Sequence, residues 1–141
     1  MLLKVKKLNK NAILPLKATA GSACYDVYSV ERKVFLSGEP ALIRTGLAFA
    51  LPEGYAMDIR PRSSWASKGL SISNSPGTLD SDYRGELMIP CKNLSPGAIV
   101  VNRGDRIAQI RLFKVISLEF EIVESLNNTK RGKGGFGSTG V

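Results

Sequence analysis

The chain has 141 residues, 43% of them hydrophobic, with a mean hydropathy of −0.02, which fits one domain with a real core and leaves no apolar run near the length of a membrane span. Twenty Lys and Arg against twelve Asp and Glu give a net charge of +8; an anionic partner fits this, either nucleic acid or a nucleoside triphosphate, although a solvated basic surface accounts for most of these residues. No histidine is present, so a Ser-His-Asp triad, a Cys-His pair and a histidine-held metal are excluded, and acid–base chemistry falls to carboxylates, Tyr, Lys or Cys.

In chain order, short β-rich runs alternate with Gly, Pro, Asn and Asp punctuation. The pattern predicts strands over Leu2–Leu8, Cys24–Val30, Lys33–Leu36, Leu42–Leu51, Tyr55–Arg60, Leu70–Asn74, Gly85–Cys91, Ala98–Val101, Arg106–Leu112 and Ile116–Val123. The last alternates cleanly, with Ile116, Leu118, Phe120 and Ile122 on one face and Ser117, Glu119 and Glu121 on the other. The single helix predicted is a short one around Ser63–Lys68. Such spacing suggests an all-β sandwich or jelly-roll barrel. The N-terminus lacks a signal peptide's apolar stretch, so the expected location is the cytosol, or a host cell's interior if the source is viral. Cys24 and Cys91 lie far apart with no C-x-x-C spacing, and two reduced, buried thiols are expected.

The segment after Lys130 is rich in glycine, yet Arg131, Lys133, Phe136, Ser138 and Thr139 are set among the glycines. One reading is a mobile arm: glycine lets backbone N–H groups approach phosphate, Arg offers a forked donor, and Phe136 offers a flat face to a nucleobase. The plainer reading is a disordered terminus. Four further segments carry possible chemistry. In Asn74–Leu87, Pro-Gly and Asp-Ser-Asp read as turn residues around a short apolar step; Asp80 and Asp82 share one face of an extended segment, Leu79, Ser81 and Tyr83 the other. A carboxylate held over water is the evident general base when histidine is absent. Pro61-Arg62-Ser63-Ser64-Trp65 follows a strand and offers hydroxyls, N–H groups and a cation to phosphate; alternatively Ser63 or Ser64 merely caps a helix and Trp65 fills the core. Gln109 stands in an otherwise apolar strand and needs a partner. Asp26 likewise sits in a strand suited to burial and needs a cation or a buried hydrogen bond.

Taken together, these segments resemble the five ordered motifs of the trimeric dUTPases, the dUTP pyrophosphatases. They are Ala-Cys-Tyr-Asp-Val-Tyr-Ser at 23–29, Pro-Arg-Ser-Ser at 61–64, Gly-Thr-Leu-Asp-Ser-Asp-Tyr-Arg-Gly-Glu at 77–86, Gly-Asp-Arg-Ile-Ala-Gln at 104–109 and Arg-Gly-Lys-Gly-Gly-Phe-Gly-Ser-Thr-Gly at 131–140. The third and fifth are the most specific.

The resemblance implies a distorted jelly-roll barrel with one short helix, a barrel domain over 1–124 and a flexible glycine-rich arm over 125–141 that closes a neighbour's site. It implies hydrolysis of dUTP to dUMP and pyrophosphate. Asp80 would activate the water that attacks the α-phosphorus, and Gln109 would hold it. Asn74 with Gly77, Thr78 and Leu79 would read uracil and exclude a 5-methyl group, Tyr83 would stack under deoxyribose, and Met88 would line the same pocket. Arg62, Ser63 and Ser64 would bind the phosphates. Asp26 would hold waters of a Mg2+ that the phosphates chelate. Arg131, Gly137, Ser138 and Thr139 would grip the γ-phosphate while Phe136 covers the base. Partners implied are dUTP and two further copies of the chain, with motifs one, two and four from one subunit, the third from a second and the arm from a third; neither membrane nor obligatory nucleic acid is implied. An arm of about 17 residues has a flexible reach of roughly 20–25 Å and a stretched reach of roughly 55–60 Å, enough to cross onto a neighbour.

Three departures stand out: Cys24 where glycine is common, Leu79 where isoleucine is common, and Ser64-Trp65 where Gly-Leu is usual. None removes a group with a chemical role. The nearest rival is a dCTP deaminase or its bifunctional relative, which needs a catalytic glutamate near the hairpin. A rival of another class is a basic β-domain that binds single-stranded nucleic acid without catalysis.

Overall fold

The computed structural model describes residues 1–135. Ten strands and one helical turn follow in order: β1 (Lys4–Lys7), β2 (Tyr25–Tyr28), β3 (Lys33–Phe35), β4 (Pro40–Ala50), β5 (Tyr55–Pro61), α1 (Ser63–Ala66), β6 (Leu70–Ile72), β7 (Gly77–Leu79), β8 (Glu86–Asn93), β9 (Ile99–Val101) and β10 (Arg106–Lys114). They form two four-stranded antiparallel sheets, β1-β4-β8-β6 and β2-β10-β5-β7, with β3 and β9 paired separately. Sequential strands repeatedly change sheet, as in a jelly roll. The architecture is all-β with one very short helix.

Alternation explains which face each strand buries. In β8, Leu87, Ile89, Cys91 and Asn93 point inward while Met88 and Lys92 point out. β4 carries Ile43, Thr45, Leu47 and Phe49 into the same core, but Gly46 and Ala48 between them are buried as well, so this stretch has no solvent face. The β4–β8 register slips between Arg44 and Ala48, and Gly46 lies there at φ +68°, a conformation L side chains rarely adopt. A Cβ at Gly46 would stand 3.0 Å from the Cβ atoms of Asn9 and Ala12. The facing sheet contributes Val27, Met57, Ile59, Ala108 and Ile110. Each large aliphatic side chain so buried contributes about 1.5–3 kcal/mol. Burial pushes the Cys91 thiol up to about 12, whereas Cys24 is only half-buried, contrary to the expectation of two buried thiols.

Polar groups in the core are accounted for. Thr45 Oγ1 donates to Leu87 O at 2.6 Å. Asn93 donates to Phe35 O and Gly97 O and accepts from Ser95, clamping a loop corner that an asparagine after a strand does not announce in sequence. No buried side-chain nitrogen or oxygen among the described residues lacks a partner. Nor is any helix among them long and apolar enough to cross a membrane.

Two sequence expectations need correction. Gly77–Leu79 is a strand paired with β5, where only turn chemistry was legible; beyond it the chain turns through Ser81 and Asp82 rather than continuing extended. Ile116–Val123, the most regular alternation in the chain, is not a strand at all. Ile116, Leu118, Phe120 and Ile122 are 80%, 69%, 91% and 101% exposed. A strand needs a neighbour for its backbone groups, and no described residue of this chain supplies one.

Candidate active site

β7, the turn that leads from it into β8, and the adjoining faces of β4, β5 and β8 enclose an open cleft of about 290 Å3, at the small end for small-molecule sites. Asn74, Gly77, Thr78, Leu79, Asp80, Tyr83 and Met88, all expected in the site, line it, together with Leu42, Ile59, Glu86, Leu87 and Pro90. Leu79 is anchored in the core and so fixes its neighbours. Asn74, Thr78 and Asp80 are exposed on the cleft, and Asp80 has no ion-pair partner among the described residues.

Tyr83 is held by its hydroxyl, which donates to Glu86 O at 3.2 Å. Its ring lies against Gly85 so tightly that a Cβ there would clash with the phenol oxygen; this is why Gly follows Arg84. Glu86 is not a free acid. Its carboxylate accepts from Gly46 N at 2.8 Å and from Arg44 Nε at 3.0 Å, so it braces the cleft wall against the β4 slip. A glutamate tied in this way is unsuited to the deaminase role.

A second cluster forms on the outer face of the other sheet. Asp26 is 2% exposed, and its Oδ1 accepts from Arg62 Nε at 3.0 Å and Gln109 Nε2 at 3.1 Å, while Oδ2 accepts from Arg106 Nη1 at 3.3 Å. The two residues that sequence left wanting partners satisfy each other. Ser64 Oγ lies 3.4 Å from Arg62 Nη1, and Ser63 is exposed at the start of α1. The helix N-cap is Arg62, with no side-chain cap, so neither serine is used as one and both hydroxyls face outward chemistry. Arg106 had no assigned part in the sequence reading. Strict alternation puts residues 106 and 109 on opposite faces, but the β2–β10 register slips between Arg106 and Ala108, burying Ile107 and bringing Arg106 to Asp26. A polar triad lies further along the same face: Asp58 accepts from Arg60 Nη2 at 2.9 Å and Arg111 Nε at 3.0 Å. Burial raises the Asp58 carboxyl, but the two guanidinium groups outweigh it and hold it below the usual carboxylate range.

The cleft and the cluster are not one site within a chain. Gln109 pairs with Arg60, which the β5–β7 register, extended by one residue, sets level with position 76 just before β7, four residues from Asp80. At about 4.8 Å between strands and 3.4 Å per residue, Asp80 and Gln109 are roughly 16 Å apart. Arg131 is in neither half; its Nε donates to Gly134 O within its own turn. Phe136, Gly137, Ser138 and Thr139 lie outside the described residues.

Among the described residues no three Asp, Glu or Cys side chains gather as a metal-binding group. Asp26 suits a metal only through water: three of a carboxylate's roughly four acceptor positions are taken. That donor set fits Mg2+ held mainly by phosphate oxygens and its own waters.

A base-sized cleft with an unpaired carboxylate, plus a cationic cluster apt for phosphates, defines a nucleotide-binding β-barrel. A family model described as dUTPase matches residues 10–140. The deoxyuridine 5'-triphosphate nucleotidohydrolase of Nautilia profundicola is 47% identical over 141 residues, 99% of each chain, and that of a Hydrogenobaculum species is 46% identical over 143 residues, 100% of this chain and 99% of the relative. The solved structure of the Staphylococcus bacteriophage 80alpha dUTPase with dUPNHPP superposes with a TM-score of 0.91 at 32% identity, covering 99% of both chains. That of a mutant dUTPase from phage phi11 of S. aureus, described with a structural Mg(II) ion, gives 0.82 at 29% identity, covering 89% of this chain and 98% of the phage chain. The chain belongs to the dUTPase family.

Proposed function

We propose that the protein hydrolyses dUTP to dUMP and pyrophosphate in a site assembled from more than one copy of the chain, with Asp80 as the general base. The reading is carried by the division of the site: an uncommitted carboxylate at a base-sized cleft, and an arginine-rich cluster too far away in the same subunit to share a ligand water with it. A neighbour's cluster of Asp26, Arg62, Ser63, Ser64 and Gln109, set against this chain's cleft, supplies what each half lacks.

Uracil enters the cleft against Asn74 and the Gly77–Leu79 edge, whose backbone and amide groups match its donor–acceptor edge. Tyr83, fixed by Glu86 O and packed on Gly85, stacks under the sugar and leaves no room for a 2′-hydroxyl. Arg62 with Ser63 and Ser64 binds the phosphate chain through charge-assisted hydrogen bonds. Asp80 accepts the proton of a water oriented by Gln109. The water oxygen bonds to the α-phosphorus and stays on dUMP, while the bond from the α-phosphorus to the α–β bridging oxygen breaks and pyrophosphate leaves carrying that bridging oxygen. Asp26 would hold the waters of a Mg2+ carried by the phosphates, and that ion would supply charge neutralisation. Arg131, Phe136, Gly137, Ser138 and Thr139, in an arm over 125–141, close over the nucleotide and exclude water.

A homotrimer fits this division and the unpaired segment 116–123, whose apolar side needs a neighbour to cover it. The cytosol is the proposed location, where the reaction keeps uracil out of DNA and supplies dUMP for thymidylate synthesis. Incubation with dUTP, dTTP, dCTP and UTP, with and without Mg2+, tests the whole reading. We expect monophosphate and pyrophosphate from dUTP alone, dependent on Mg2+; ammonia from dCTP, or no turnover at all, would reject it.

A further inference from the structure

Trp65 stands in the phosphate-side cluster without a chemical part of its own, where Gly-Leu is the usual pair for Ser64-Trp65. Its setting is consequential. α1 is a single turn with no side-chain cap and no buried residue, so the segment that carries Arg62, Ser63 and Ser64 cannot be held in place by helix propensity. The indole ties it down. Trp65 is half-buried against the core, and its Nε1–H donates to Arg106 O at 2.7 Å. Arg62 Nη1 reaches the same carbonyl at 3.3 Å. Lys68 Nζ lies 5.0 Å from the ring centroid and adds a cation–π contact that keeps the end of the α1 segment over the indole. Arg106 is the residue at the β2–β10 slip, and its side chain meets Asp26 at Oδ2 while Arg62 meets it at Oδ1.

We propose that Trp65 is a positioning residue for phosphate binding: its indole N–H takes the shorter bond to the Arg106 carbonyl, 2.7 Å against 3.3 Å for Arg62 Nη1, and so loosens that carbonyl's hold on Arg62, whose outer guanidinium nitrogens can turn to the triphosphate. This rests on the reading of the Arg62 cluster as the phosphate half of the site. With the indole donor removed, Arg62 Nη1 is the remaining side-chain donor to that carbonyl among the described residues and draws closer to it. The arginine is then retained by the protein, and the nucleotide has to compete for it. The effect falls on binding, not on the chemical step, because Asp80 and the water are untouched.

Trp65→Phe keeps an aromatic ring beside Lys68 but removes the donor. The expected result is a KM for dUTP raised roughly fivefold, about the worth of one net hydrogen bond, with kcat little changed. Arg62→Gln serves as the control. If it raises KM strongly while Trp65→Phe does not, the phosphate site stands and the positioning role of Trp65 falls. If Arg62→Gln also leaves KM alone, the phosphate reading itself is wrong and the proposal falls with it. A second measurement needs no variant. Trp65 is the sole tryptophan, so its emission reports this spot directly. Titration of the wild-type protein with an imido analogue of dUTP is expected to shift or quench it as Arg62 turns to the ligand; an emission unchanged at saturation overturns the coupling.

Discussion

An aspartate inside a strand at 2% exposure needs several donors around its carboxylate oxygens, and Asp26 has Arg62, Arg106 and Gln109. Asp58, on the same sheet face, is the measurable counterpart. Arg60 and Arg111 hold its carboxyl below the usual range, and a folded-state value below the unfolded one stabilises the fold above the ordinary carboxylate value. That contribution disappears as pH falls through the lower, folded value. Both arginines are about half exposed, so solvent screens the pairs. We expect Asp58→Asn to lower the melting temperature modestly at pH 7 and the gap from wild type to close as pH falls below the ordinary carboxylate value of about 4. Melting curves across that range check it, and a gap independent of pH would mean that the pairs contribute nothing. The functional residues were legible in sequence where they broke a pattern. Asp26 and Gln109 were conspicuous because a polar residue in an apolar strand demands a partner. Arg106 was not, because a one-residue slip moves it between faces and no composition rule marks a slip. Trp65 read equally well as core filler; its indole hydrogen bond depends on where Arg106 lies.

At the level of elements, alternation located the paired strands but could not say which had partners. β8 and 116–123 have similar periodicity; one is a central strand between β4 and β6, the other is bare. Pattern reports what a segment can bury, and pairing depends on whether an edge is within reach. The reverse holds for β7, three residues long, whose Gly-Thr-Leu has no period to read and which exists because β5 offers it an edge. Beyond the bare segment, residues 125–141 are the proposed arm. Its basic turn, with Arg131 folded onto Gly134 O, makes no side-chain hydrogen bond to either half of the site among the described residues. Ending the chain at Lys130 is therefore expected to leave the fold and the assembly intact and to cut turnover by on the order of a hundredfold, as water enters the open site. Size-exclusion chromatography and pyrophosphate release measure the two effects. A fully active truncation would remove the arm from the mechanism, and loss of assembly would make it a structural element instead.

The whole molecule is where the two halves must meet. A distance of roughly 16 Å along the ladders separates Asp80 from Gln109 in one chain, more than a single bridging water can span. Either the reaction dispenses with one of them or two subunits share the site. Mixed assemblies decide between these. Asp80→Asn alone is expected to abolish turnover while the imido analogue still binds, and Gln109→Ala alone to leave little. When the two variants are unfolded together in equal amounts and refolded, a site that draws both residues from one chain always carries one defect, and the mixture stays inactive. A site that takes Asp80 from one subunit and Gln109 from its neighbour is whole whenever a Gln109→Ala chain meets an Asp80→Asn chain in the right order, which random assembly gives at about a quarter of the interfaces. Recovery of about a quarter of wild-type activity is the expected outcome, and pyrophosphate release from the refolded mixture measures it. A mixture no more active than its parents would return both residues to a single chain and require that chain to bend until they touch.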